Sequence, residues 1–262
     1  MTQVHKAPHE VFLVEEMTLP KQVETGRVFQ WLAHGWDDTQ ALKGVSTLYA
    51  TLFLIVGLLI SFGFYMLELP YLILPALSGF LLVGPAIAVG FYEGSLCRQE
   101  GREFTLLGAV LGFRRNTYSI MAIGIAQVFL FMVWIRLSFT LFAIAFPGIS
   151  PDWPLIVERA FSMEGLHFAL MITGLGSIFA SLIFLTGAFS LPLMIDRKTL
   201  LIPAMLTSAY AVVLNFKTMV LWAVIITLIM FAGLITGFGL ILAFPLIGHA
   251  TWHAYREVIG QK

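Results

Sequence analysis

His249 and His253 stand four residues apart in the segment His-Ala-Thr-Trp-His. On a helix that spacing puts both imidazoles on one face. Two imidazoles so placed can share a metal ion or face the edge of a haem, as in the helix of zinc proteases. The protease motif itself is absent, because no glutamate lies between the two histidines. A metal would need a third and a fourth ligand, and His34 and Glu93 are the candidates at similar depth. The competing reading is an aromatic helix end. There the histidines make structural hydrogen bonds while Trp252 and Tyr255 sit at a membrane interface.

Other polar residues offer less. Arg136 is a formal charge well inside an apolar run. It lies roughly 27 Å along its helix by rise, close to the far interface, where it would snorkel or pair with Glu68 or Asp152. A site for a substrate carboxylate is the sharper alternative. Gln127, nearer the middle of the same run, could add a polar contact. The single cysteine, Cys97, excludes an internal disulfide and any all-cysteine metal site and reads as a small buried thiol. Glu15-Glu16 and Asp37-Asp38 read as capping or surface charges in a solvated arm. No phosphate-binding glycine loop, serine triad or pair of catalytic carboxylates can be assembled, so the chain is expected not to be an enzyme.

What must position these residues is a set of membrane helices. The chain has 262 residues, 59% hydrophobic and 11% charged, where a soluble domain carries about 25% charged residues. Net charge is zero, which argues against a nucleic-acid partner. A bilayer core needs about 20 apolar residues of helix, and several blocks meet that length. The spans are expected at about 45–69, 71–92, 118–146, 166–195, 218–232 and 237–255, giving an all-α polytopic bundle of about six transmembrane helices. Residues 1–43 form an arm ahead of the first span. No residue from Thr218 to Tyr255 is Asp, Glu, Lys or Arg, and as one helix this tract would reach about 57 Å. A turn near Gly233, Gly237 and Gly239 divides it, with one long bent helix as the alternative.

Basic residues set the orientation, because cytoplasmic loops are enriched in Lys and Arg. With six spans every Lys and Arg except Arg136 and Arg159 falls on one side. Both termini are therefore expected in the cytoplasm of a bacterium, with the spans in its inner membrane.

The cytoplasmic segments read as copies of an internal threefold repeat, the alternative being that membrane-edge helices are alike in composition. Arg102 precedes Ala109 and Leu111, and Arg197 precedes Ala204 and Leu206, at equal spacing. Asn116 and Asn215 then open the next span. A third copy precedes span one, with Phe29, Trp31, Leu32 and Trp36. Each unit would be one interfacial amphipathic helix followed by two spans. The second span of each carries a proline, Pro85, Pro192 or Pro245. Proline removes a helix hydrogen bond, so three kinked helices around a cavity compete with ordinary helix bending.

The run Phe244-Pro245-Leu246-Ile247-Gly248-His249-Ala250-Thr251-Trp252-His253-Ala254-Tyr255-Arg256, with Trp31-Leu32-Ala33-His34-Gly35-Trp36-Asp37-Asp38, resembles a family of uncharacterised bacterial integral membrane proteins. It is a domain of unknown function, and some members carry the label of a cytochrome c oxidase subunit. The resemblance spans about Arg27 to Gly260. It implies an inner-membrane protein of about six spans and supplies no site residues. A catalytic oxidase subunit needs histidines for two haems and a copper, and only His167, His249 and His253 lie at or near spans. The expected role is therefore a non-catalytic accessory, scaffold or assembly component, with a respiratory complex as one setting and lipid and other membrane subunits as partners. The alternative is a small-molecule or metal transporter with its site between the proline-kinked helices.

Overall fold

The computed structural model describes residues 19–68, 84–147, 158 and 162–260. Every regular element among them is helical. Helix α1 is Arg27–Ala41 and α2 is Lys43–Met66. Beyond residue 83 come α3 (Gly84–Ile87), α4 (Val89–Gln99) and α5 (Leu106–Val110), then a turn of 3-10 helix (Gly112–Asn116) that leads into α6 (Thr117–Ala145). The order closes with α7 (Met163–Gly187), α8 (Ser190–Arg197), α9 (Leu201–Leu214), α10 (Phe216–Thr236) and α11 (Leu240–Val258).

Four continuous runs are long and apolar enough to cross a membrane: Lys43–Met66, Gly112–Ala145, Met163–Arg197 and Phe216–Thr236. They match the expected spans one, three, four and five within a few residues. At most 22% of each apolar window is buried against the protein, so the remaining faces are available to lipid. Most of the expected span two lies outside the described residues, as do Asp152 and the loop prolines Pro151 and Pro154.

The last apolar tract breaks in two. Gly237 takes φ +67, a left-handed conformation that glycine enters without strain, and its N–H closes on the carbonyl of Leu234 at 3.1 Å. α11 then folds back on α10, where a Cβ on Gly233 would lie 3.1 Å from the Ala243 Cβ. The expectation of a sixth apolar span needs correcting in its second half. From Gly248 onward most of α11 is buried in protein, and it carries His249, Thr251 and Arg256. His249 and Arg256 find partners in neighbouring helices that lipid could not provide.

The structure forms two compact units. The first takes residues 1–54, 85–123 and 184–262, the second 55–84 and 124–183. In the first, α11 lies against α1 at backbone distance, because a Cβ on Gly35 would stand 2.6 Å from the Ala250 nitrogen. Gly248 accepts the Phe91 ring in the same way, and Gly90 accepts the Tyr49 ring. The core joins Trp31, Phe189, Leu191, Met194, Trp222, Trp252 and Tyr255. Trp31 and Trp222 meet edge to face with ring centroids 5.7 Å apart, and full burial of each such side chain contributes about 1.5–3 kcal/mol. Two carboxylates tie the end of α11 down. Glu257 accepts from Trp31 Nε1 at 2.7 Å and from Arg27 Nε at 2.6 Å. Asp196 accepts from the Tyr255 hydroxyl at 2.5 Å and from Arg256.

The break between α7 and α8, just ahead of Pro192, shows how an interrupted helix bond is satisfied. α7 stops at Gly187 and α8 starts at Ser190. Between them the Ser208 hydroxyl of α9 accepts from the Phe189 N–H at 3.1 Å and donates to the Leu185 carbonyl at 2.9 Å. Those two backbone groups are the i and i−4 partners of an unbroken helix. A side chain inserted between them is a recognised cause of bending. Pro245 lies inside α11 without ending it, and Pro85 falls within α3.

The segments expected to repeat differ in length. α1 and α9 have 15 and 14 residues, but the second copy is only the five residues of α5 and the turn after it. Asn116 and Asn215 do act alike. Asn116 Nδ2 donates to the Thr199 carbonyl at 2.8 Å. Asn215 Oδ1 accepts from the Val23 N–H at 2.8 Å while its Nδ2 donates to the Lys21 carbonyl at 2.9 Å. Each amide fastens the start of an apolar helix to the strand of chain ahead of another unit's first helix.

The second unit holds the far parts of α6 and α7. Trp134 meets Phe179 at 5.9 Å, and Gly176 gives the Trp134 ring room. Phe142, Phe146 and Phe168 form a cluster with centroid distances of 5.1–5.9 Å.

Candidate functional site

The polar core of the first unit assembles around Asp38. On α1 the buried residues are Val28, Trp31, Gly35, Asp38 and Thr39, a helical stripe that carries the carboxylate inward. Asp38 is only 4% exposed. The reading of Asp37-Asp38 as solvated charges is therefore wrong for Asp38. It shares a face with Trp31, and the period of that face was the signal in the sequence.

Three other helices supply the partners. Ser95 of α4 donates its hydroxyl to Asp38 Oδ2 at 2.6 Å, and His253 Nε2 of α11 approaches the same oxygen at 2.9 Å. Arg98, one turn beyond Ser95, donates to Oδ1. His249 is wholly buried. Its Nδ1 lies 2.8 Å from the Ser95 hydroxyl, and its Nε2 lies 3.0 Å from the Ser46 hydroxyl of α2. The Phe91 ring stands edge to face with the His249 imidazole at 5.6 Å.

The directions of these bonds follow from donor counting. Ser95 has one proton and gives it to a carboxylate that can only accept. It must therefore accept from His249, which fixes the proton on Nδ1. Nε2 is then an acceptor, and Ser46 donates to it. The chain runs Ser46 to His249 to Ser95 to Asp38, one way throughout. Burial pushes the Asp38 carboxyl up. The hydrogen bonds from His253 and Ser95 and the nearby charge outweigh this and bring it to about 2, so it is an anion at neutral pH.

Such a relay has the order of a nucleophile, a base and an orienting group. Ser46 and His249 are nevertheless both fully buried, and every polar side-chain atom of Ser46, His249, Ser95 and Asp38 is engaged inside the protein. What the arrangement does chemically is to hold α1, α2, α4 and α11 together through one anion.

The candidate metal ligands are divided between two clusters. His34 packs its ring on that of His253, centroids 5.2 Å apart. Glu93 belongs to the other cluster. It accepts from Arg115 at 2.9 Å and from Arg102 at 3.3 Å, and from the Cys97 thiol at 3.4 Å. Burial and the Glu93 charge push that thiol up to about 11. Among the described residues no group of three or more His, Cys, Asp or Glu is placed to hold a metal ion. Arg136 is exposed on α6 and pairs with no carboxylate among the described residues. Gln127 is 3% exposed, and its Oε1 meets no hydrogen-bond donor among them. Ser46, Ser95 and Arg98 escaped sequence reasoning, because serines and a loop-edge arginine carry no spacing signal.

No curated protein and no solved structure matches the chain. A family described as predicted integral membrane proteins, DUF2189, matches residues 73–196. The match takes in Glu93, Ser95, Arg98, Arg115 and Pro192 and leaves out Asp38, His249 and His253. It is narrower than the resemblance at the two ends of the chain implied. Over residues 73–196 this membrane protein is similar to that family, whose function is unknown.

Proposed function

We propose that the protein is a non-catalytic component of a bacterial inner membrane, acting as an accessory, scaffold or assembly factor for other membrane subunits. One observation carries this reading: the polar cluster is closed. Both nitrogens of His249 are held by serine hydroxyls, and Asp38 is held by Ser95, His253 and Arg98. A cluster that spends its hydrogen bonds on its own helices stiffens a scaffold. The broad apolar faces of the spans offer surface to lipid and to partner helices. A respiratory complex is the first partner to test. The placement of nearly all Lys and Arg at one end of the spans supports both termini on the cytoplasmic side.

Purification of the full chain in mild detergent with mass spectrometry of what accompanies it tests the role. A second membrane protein in near-stoichiometric amount is the expected result, and a lone monodisperse monomer overturns it. A reporter fused after Gly260 should be active only in the cytoplasm.

A transporter is the second reading, favoured by Gln127, whose buried Oε1 is unpartnered among the described residues. In a Cys97→Ser background, labelling of Gln127→Cys by a membrane-impermeant thiol reagent would favour that reading. Protection from the reagent would count against it.

A further inference from the structure

Two groups of cations stand out in the first unit. Arg27, Arg98, Arg102, Arg115 and Arg256 are committed to carboxylates. Lys43, Arg114, Lys198 and Lys217 are exposed and pair with no carboxylate among the described residues. These four are placed regularly. Lys43 opens the first apolar run, Arg114 lies in the first turn of the second, Lys198 follows the last residue of the third, and Lys217 is the second residue of the fourth. Each candidate span thus ends in one uncommitted cation, and all four belong to the same compact unit. The other ends of these runs carry Glu68 and Glu164 among the described residues.

Large apolar side chains accompany the cations. Tyr118 is 81% exposed and Phe216 is 65% exposed, each at the start of its run. Leu107 and Trp36, on the short helices that lead into α6 and α2, are exposed as well. Aromatic rings favour the headgroup level of a bilayer. A surface that offers apolar side chains and unpaired cations together matches the boundary between acyl chains and anionic headgroups.

We propose that Lys43, Arg114, Lys198 and Lys217 form an interaction surface for anionic phospholipid headgroups, one cation at the end of each apolar run. The paired arginines build the fold, and the unpaired cations meet the phosphates. Lipid then occupies this rim, and any partner subunit docks elsewhere.

The test uses the full chain in nanodiscs of equal phosphatidylglycerol and phosphatidylcholine with matched acyl chains. Lipids retained on transfer to detergent are counted by native mass spectrometry. The wild-type chain should retain phosphatidylglycerol in preference, by about fivefold for each cation engaged. The variant with Lys43→Gln, Arg114→Gln, Lys198→Gln and Lys217→Gln together should show a ratio near one. The four single variants should each remove a share, which keeps the test decisive if the combined variant folds poorly. Replacing each lysine by arginine should preserve the preference. Equal retention of the two lipids by the wild-type chain, with or without a protein bound on this rim, overturns the proposal. So does an unchanged preference in the single variants and the combined one.

Discussion

Ser95 gives its only proton to Asp38 across 2.6 Å, and this fixes the tautomer of a histidine on another helix. His249 can bond Ser95 at 2.8 Å only as a donor through Nδ1. Ser95→Ala therefore leaves the Nδ1–H without a partner and removes a donor from Asp38. An unsatisfied buried group costs about 1–3 kcal/mol. The variant should melt several degrees lower in detergent, and Ser95→Thr should recover part of the loss. Nitrogen NMR of ring-labelled protein should show His249 protonated on Nδ1 in the wild type.

Asp38 makes the fold sensitive to acid in a defined window. Its carboxyl is brought to about 2, below the value of about 3.9 in an unfolded chain. A depressed carboxylate stabilises the folded state above the unfolded value, and the contribution is lost as pH falls through the folded one. Stability should therefore fall between about pH 4 and pH 2, by about 2 kcal/mol from this group. Asp38→Asn keeps the shape and removes the titration. It should be less stable at neutral pH, where Arg98 and His253 lose their anion, and should lack this share of the acid transition. An acid profile identical to that of the wild type would mean that Asp38 does not titrate there.

The contact of α1 with α11 rests on a missing side chain. A Cβ at Gly35 would stand 2.6 Å from the Ala250 nitrogen and 2.7 Å from its Cα, and backbone atoms on a packed helix cannot step aside. Gly35→Ala should separate the two helices and destabilise by several kcal/mol, since overpacking already costs about 1–3 kcal/mol where side chains can move. Gly124→Ala is the matched comparison, because nothing lies within 4 Å of its Cβ. That change should be neutral or stabilising by about 0.5–1 kcal/mol. Melting temperatures of the pair in one detergent decide the matter.

The helices of this protein were legible from sequence because runs such as Phe216–Thr236 are long, apolar and bounded by an asparagine and a glycine. The break at Gly237 was legible for the same reason. What failed was the environment of polar residues. Asp38 looked solvated because it adjoins Asp37 in an arm of mixed charge, and only the buried stripe it shares with Trp31 and Gly35 places it inside. Glu93 looked like a further metal ligand because it stands at a depth similar to that of the two histidines, yet it lies two residues from Ser95. On a helix that offset turns it away toward Arg115, and two guanidinium groups claim it. Pro192 announced a bend in this stretch, but the hydroxyl that bridges the break between Leu185 and Phe189 comes from Ser208 on another helix.

Asn215 offers the most direct test of how the apolar helices are fastened to the rest. Its side-chain oxygen accepts from the Val23 N–H, and its nitrogen donates to the Lys21 and Ala211 carbonyls at 2.9 and 3.1 Å. Only an amide presents both a donor and an acceptor in that geometry. Asn215→Asp keeps the acceptor but sets a carboxylate against two carbonyl oxygens, whereas Asn215→Leu removes both functions at similar size. Each should lose about 1–3 kcal/mol, and Asn215→Asp should recover as pH falls and the carboxyl gains a proton. The effect should be local first. The Val23 amide should exchange its hydrogen faster in both variants while the core amides near Trp252 stay protected. Exchange that rises equally at both places would show that Asn215 supports the whole fold rather than the seat of residues 21–23.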